Sequence, residues 1–107
     1  MENKSKLSES EEMILSILLN SDEDLTLSEI MDRAKNRFQK EWKMQTVATF
    51  MKRMEEKGYI SSYKIGRYSH YKPDITLHDF RKQKMQDMRE LLLFDSTESM
   101  ADFIKNM

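Results

Sequence analysis

Gly58 divides this chain into two textures. Before it, apolar residues recur at helical spacing; directly after it, aromatic and β-branched residues flank a Gly66-Arg67 pair. The first helix opens on Ser8-x-x-Glu11, a capping box in which the hydroxyl takes the Glu11 amide and the carboxylate reaches back to Ser8. Ile14, Ile17 and Leu18 form its apolar stripe, and the run Asn20-Ser21-Asp22-Glu23-Asp24 ends it with side chains that bond their own backbone. Thr26-x-x-Glu29 repeats the capping signature. Leu27, Ile30, Met31, Ala34 and Phe38 share one face of a second helix reaching about Lys40. A third helix, Met44 to Lys57, carries Val47, Phe50, Met51 and Met54 on its inner side, and Gly58 closes it as a left-handed cap.

Beyond Gly58, Tyr59 to Ile65 and Tyr68 to Lys72 read as strands joined by the two-residue loop Gly66-Arg67, with Pro73 stopping the second strand. A fourth helix from Thr76 carries Leu77, Phe80, Met88, Leu91 and Leu92. After Asp95-Ser96 a short fifth helix shows Met100, Phe103, Ile104 and Met107. Three helices followed by a hairpin is the order of a winged helix. The chain is therefore expected to be mainly α with a small β-hairpin: a winged helix-turn-helix over 1–75, then C-terminal helices over 76–107. At 107 residues, a domain of this size buries roughly 65% of its unfolded surface.

Several function classes drop out. No cysteine is present, so there is no disulfide framework, thiolate zinc site or cysteine nucleophile, and a reducing compartment is expected. His70 and His78 have no second ligand at metal spacing, and two glycines leave no phosphate-cradling loop. No nucleophile sits beside a base. No enzyme, cofactor or metal is expected. The apolar runs Met13 to Leu19 and Leu91 to Phe94 are short, and Met1 to Lys6 leads into acidic residues instead of an apolar signal region, so a soluble cytoplasmic protein without membrane insertion is expected.

The net charge of −1 hides an asymmetry. From Lys43 to Lys72, seven basic residues face only Glu55 and Glu56, a surplus of five, which leaves the rest of the chain at −6. The third helix and the hairpin thus form an anion-facing surface on an acidic body. On that helix Gln45, Thr46, Thr49, Lys52 and Arg53 remain once the core stripe is assigned, and all five fall on one face. Glutamine pairs with adenine, threonine offers a hydroxyl or a methyl group to a base edge, and lysine or arginine holds phosphate or guanine. Lys43 precedes this face. Arg67 at the hairpin tip suits a phosphate or minor-groove contact, flanked by Lys64 and Lys72. Thr26 and Ser28 open the second helix, where the amides favour phosphate. Glu55 and Glu56 are expected to point away from DNA or lie past its edge, and Trp42 to wedge against the core. The expected function is a DNA-binding regulator; the alternative is a winged-helix module for protein–protein assembly without specific DNA readout.

In order and spacing, the stretches Leu7-Ser8-Glu9-Ser10-Glu11, Leu25-Thr26-Leu27-Ser28-Glu29-Ile30, Trp42-Lys43-Met44-Gln45-Thr46-Val47-Ala48-Thr49, Arg53 to Ile60 and Gly66 to Pro73 resemble the penicillinase-repressor family of bacterial winged-helix regulators, which includes the BlaI, MecI and CopY types. The resemblance implies a homodimeric repressor on an inverted-repeat operator, with the C-terminal helices forming the dimer. Leu77, Phe80, Met88, Leu91, Leu92, Met100, Phe103 and Ile104 are the apolar residues of that segment. By position, Thr46 and Thr49 fall where the family contacts bases and Arg67 where its wing meets the backbone. Copper-responsive members carry C-terminal cysteines, absent here. In β-lactam-responsive members a membrane sensor protease pathway leads to cleavage at an Asn-Phe bond in the last helix; the pair here is Asp102-Phe103.

Overall fold

The computed structural model describes residues 5–107. Its elements are α1 (Glu9–Leu19), α2 (Leu27–Phe38), α3 (Met44–Glu56), β1 (Ile60–Ile65), β2 (Tyr68–Pro73), α4 (Leu77–Leu91) and α5 (Thr97–Lys105). The chain divides into two compact units, one up to Ile75 and one over Thr76–Met107.

In the first unit, both expected capping boxes form. The Ser8 amide donates to Glu11 Oε1 at 2.7 Å while the Glu11 amide donates to the Ser8 hydroxyl at 3.2 Å. Thr26 and Glu29 repeat the exchange at 2.9 and 3.4 Å. α2 stops at Phe38, slightly short of the expected Lys40, because Gln39 turns left-handed with φ +56°. α3 closes through Gly58, at φ +84°: the Gly58 amide donates to the Glu55 carbonyl and the Tyr59 amide to the Met54 carbonyl, the bond pair of a Schellman cap.

Side chains from all three helices meet in one core. Ile14, Leu15, Ile17, Leu18, Ile30, Ala34, Val47, Met51 and Met54 are buried there, joined by Leu25 and Ile60. Each large side chain so buried contributes about 1.5–3 kcal/mol. The hairpin is antiparallel, with Ile60 opposite Pro73 and Ile65 opposite Tyr68. Gly66 has φ +61° while Arg67 keeps a negative φ, the pattern of a type II′ turn, whose twist suits a two-residue hairpin. Pro73 is the last residue of β2, one beyond the expected end at Lys72. Its missing amide is tolerated at the strand end, and the next one, of Asp74, donates to the Tyr59 carbonyl at 2.8 Å. Leu25 adds a short third rung: its amide and carbonyl both pair with Tyr71, at 3.1 and 2.8 Å, tying the segment before α2 to the hairpin.

One feature of this unit has no local sequence signal. The Glu11 carboxylate, 1% exposed as a residue, accepts from Lys57 Nζ at 2.7 Å, and the same ammonium donates to the Lys6 carbonyl at 3.0 Å. Burial pushes the Glu11 carboxyl up. The hydrogen bonds from Lys57 and Ser8, with the Lys57 charge, outweigh it and hold the group below its ordinary value of 4.5. Lys57 thereby leaves the anion-facing set and joins the end of α3 to the start of α1.

In the second unit, the Thr76 hydroxyl caps α4 by accepting from the Asp79 amide at 3.0 Å, and Ser96 and Ser99 exchange bonds at the start of α5. α5 lies along one flank of α4. Lys82, Met85, Gln86 and Arg89 line a cleft of about 330 Å³ with Thr97, Met100, Ala101 and Ile104. Met100 is buried, and the Phe103 ring packs tilted against Phe94 at 5.5 Å. At about 100° per residue, Leu77, Phe80, Met88 and Leu91 occupy an arc of roughly 80°, centred roughly 150° round α4 from that flank. The most apolar side of α4 is therefore not the side that α5 covers.

α4 also ends with a Schellman cap, in which the Phe94 amide donates to the Arg89 carbonyl and the Leu93 amide to Glu90, but the left-handed residue is Leu93, with φ +63°. A β-carbon there costs about 1 kcal/mol relative to glycine. Leu93 is 86% exposed, so its side chain contributes little packing to set against that strain. Leu93→Gly is expected to stabilise the chain by about 1 kcal/mol, read as a higher urea midpoint at fixed protein concentration. An unchanged or lower midpoint contradicts the strain.

Candidate nucleic-acid interface

Burying Val47, Met51 and Met54 on one side of α3 turns Gln45, Thr46, Thr49, Lys52 and Arg53 outward, and all five are exposed. They span an arc of roughly 120° over the first three turns. Glu56 falls on the same face one turn beyond Lys52, at the far end of the helix. Glu55 lies beside the hairpin, where burial and its charge together push the Tyr71 phenol above its ordinary value.

The opposite end of α3 is open. Lys43 occupies the cap position, no side chain caps the first turn, and that turn holds no acid. The first amides of the helix therefore carry the positive end of the helix dipole outward beside the Lys43 charge, a setting that favours an anion. Trp42 is half-buried and packs edge-on against Phe50 of α3, itself half-buried, at 5.4 Å, so the pair sits at the margin of the core and not within it.

The two threonines differ in a way that their spacing does not show. Thr49 donates its hydroxyl to the Gln45 carbonyl one turn back at 3.0 Å. Thr46 makes no such bond among the described residues, so its hydroxyl is available to an outside partner.

The hairpin presents its own cations. Lys64, Arg67 and Lys72 are exposed, and the Arg67 guanidinium lies over the Tyr68 ring at 5.5 Å. The middle of the hairpin is pinned: the Tyr63 hydroxyl donates to Asp24 at 2.6 Å, a bond that raises the phenol pKa, and the Tyr63 ring stacks on His70, its cross-strand partner, at 5.7 Å. His70 is thus part of the hairpin's side-chain packing, and His78 is exposed near the start of α4. With Lys57 paired to Glu11, the remaining cations of the segment are Lys43, Lys52, Arg53, Lys64, Arg67 and Lys72, all exposed and without an ion-pair partner among the described residues.

The start of α2 is arranged differently. Thr26 bonds Glu29 through both its amide and its hydroxyl, and these bonds, the amide's first, hold the Glu29 carboxyl below its ordinary value. A carboxylate already occupies the position that a phosphate at Thr26 would take; Ser28, two residues further on, is exposed. Of the C-terminal apolar residues, Met100 is taken up inside its own unit. Leu77, Met88, Leu91, Leu92, Phe103 and Ile104 are each at least 40% exposed, and Phe80 is half-buried. Asp102 and Phe103 lie within α5, both exposed. No helix is long and apolar enough to cross a membrane, and no group of three metal-ligating side chains converges among the described residues.

Three helices, the Leu25 bridge and a two-stranded hairpin make the first unit a winged helix-turn-helix, with α3 in the position of the recognition helix. Solved structures share this fold. The DNA-binding domain of the repressor BlaI is similar with a TM-score of 0.61 and 22% identity, over 74% of this chain and 93% of that one. The monomeric form of Bacillus licheniformis BlaI in complex with the blaP half-operator gives 0.54 and 22%, over the same shares of the two chains. PerR from Streptococcus pyogenes, a gene regulator that senses peroxide, gives 0.54 and 21% over 64% of this chain; the match spans 47% of PerR. No curated protein sequence matches the chain. The family model of the penicillinase repressors matches residues 7–107, and the chain belongs to that family. It is a DNA-binding transcriptional regulator of that family.

Proposed function

We propose that this protein is a cytoplasmic, non-enzymatic repressor that binds an inverted-repeat operator as a homodimer. The observation that carries the reading is the open face of α3, where Gln45, Thr46, Thr49, Lys52 and Arg53 stand outward beside an uncapped helix start. α3 enters the major groove with Gln45, Thr46 and Thr49 toward base edges. Lys43, Lys52 and Arg53 contact phosphate or guanine, Arg67 reaches the flanking backbone, and Ser28 borders the site more usefully than the self-capped Thr26. The exposed stripe of α4, with Phe103 and Ile104 of α5, joins two copies. Such a dimer sets two α3 helices on half-sites about one helical turn apart.

A membrane sensor protease pathway acting at Asp102-Phe103 would release the operator by dividing α5. Because that bond lies inside a helix, cutting it first requires α5 to open. Intact chain after incubation with the partner protease contradicts this release route and leaves DNA binding untouched.

The test is selection from a random duplex pool followed by footprinting. The expected product is an inverted repeat protected on two successive turns. In a salt titration on that duplex, Arg67→Ala is expected to weaken all sequences alike and to flatten the log–log salt slope by about one unit, as loss of one phosphate contact requires. Unchanged affinity and slope would remove Arg67 from the interface.

A further inference from the structure

We propose that Thr49 reads a thymine in the operator through its methyl group, and that Thr46 supplies the hydroxyl contact of the pair. The inference rests on the reading of α3 as the recognition helix and names what that helix recognises. On a helix, one of the three staggered positions about the Cα–Cβ bond is closed by the preceding turn. The Thr49 hydroxyl takes the position that reaches the Gln45 carbonyl, at 3.0 Å. Its methyl group is left in the remaining open position of an exposed residue, between Gln45 and Lys52 on the same face. A hydroxyl already donated to its own backbone offers no proton to a base, whereas a methyl group facing the groove meets the only apolar group that a base pair shows there, the 5-methyl of thymine. Thr46, exposed and without that backbone bond, keeps its hydroxyl proton for a base or phosphate acceptor. The nearby Gln45 amide suits adenine, so the pair of residues reads a thymine and an adenine within one half-site.

Deoxyuridine, which lacks only the methyl group, gives the test. The full chain is titrated with the selected operator in which each thymine of a half-site is replaced in turn by deoxyuridine. The wild type is expected to lose about threefold to fivefold in affinity at one position per half-site, the worth of one buried methyl group. Thr49→Ser keeps the hydroxyl and removes the methyl; it is expected to bind the thymine duplex as weakly as the wild type binds the deoxyuridine one, and to be indifferent to the replacement. Thr49→Val keeps the methyl and should retain the wild-type response, whereas Thr46→Val should lose affinity on either duplex. If no deoxyuridine position weakens the wild type, or if Thr49→Ser still responds to the replacement, the methyl reading is overturned while the repressor reading stands. If the chain selects no duplex sequence at all, both fall together.

Discussion

A chain carrying Leu91→Asp and Phe103→Asp is expected to sediment as a monomer and to bind its operator about 100-fold to 10,000-fold more weakly than the wild type. Leu91 is 75% exposed on the uncovered side of α4, and Phe103 is 59% exposed on α5. In the proposed dimer each change places a charge where two copies would bury apolar surface, and by symmetry the same charge enters from both copies. Loss of the dimer uncouples the half-sites, so the effective concentration that the first bound domain gives the second disappears. Phe103 also packs against the Phe94 ring at 5.5 Å, so its replacement disturbs the α4–α5 unit as well. Leu91→Asp alone separates the effects, because Leu91 has almost no packing of its own to lose. A single-site variant that sediments as an unchanged dimer with full operator affinity refutes the interface.

The second large effect concerns stability. Lys57→Met leaves Glu11 buried with only its Ser8 bonds, while its second oxygen already lacks a protein partner. Breaking a fully buried pair costs about 3–5 kcal/mol; the Lys57 side chain is 25% exposed, which lowers the expectation to about 2–3 kcal/mol. The pH dependence follows from the sign of the Glu11 shift. A carboxyl held below its ordinary 4.5 in the folded state stabilises the fold above that pH, and the contribution is lost as pH falls through the folded value. Wild-type stability is therefore expected to fall on acidification below about pH 4.5, and Lys57→Met to remove that part of the fall. Urea unfolding of both chains at pH 7 and pH 4 decides it; equal stability at both values, with equal slopes, contradicts a stabilising pair.

Local chemistry made most of the fold legible. Ser8-x-x-Glu11, Thr26-x-x-Glu29, Gly58 and Gly66-Arg67 each fix a boundary within a few residues of themselves, and each forms as its chemistry requires. The outward face of α3 follows from the same logic, since Val47, Met51 and Met54 can be buried together only if Gln45, Thr49 and Lys52 are not. What stayed hidden depends on residues distant in sequence. Glu11 has a sufficient local role as a cap, so nothing near it announces a partner at Lys57; that pairing removes one charge from the basic segment that the chain's arithmetic had assigned to the anion-facing surface. The Leu25–Tyr71 rung joins segments 46 residues apart by backbone alone, which side-chain patterning does not encode. Leu93 hides for the opposite reason: a left-handed cap is signalled by glycine, and here a leucine occupies it.

The central claim is that the open face of α3 reads sequence. Its most direct test is an equilibrium titration of the full chain against its selected operator and a scrambled duplex of the same length, at one salt concentration near physiological. A specific regulator is expected to prefer the operator by at least about 1,000-fold, and the preference to shrink when Gln45 or Thr46 is replaced by alanine. Equal affinity for the two duplexes, or a preference untouched by those replacements, contradicts it.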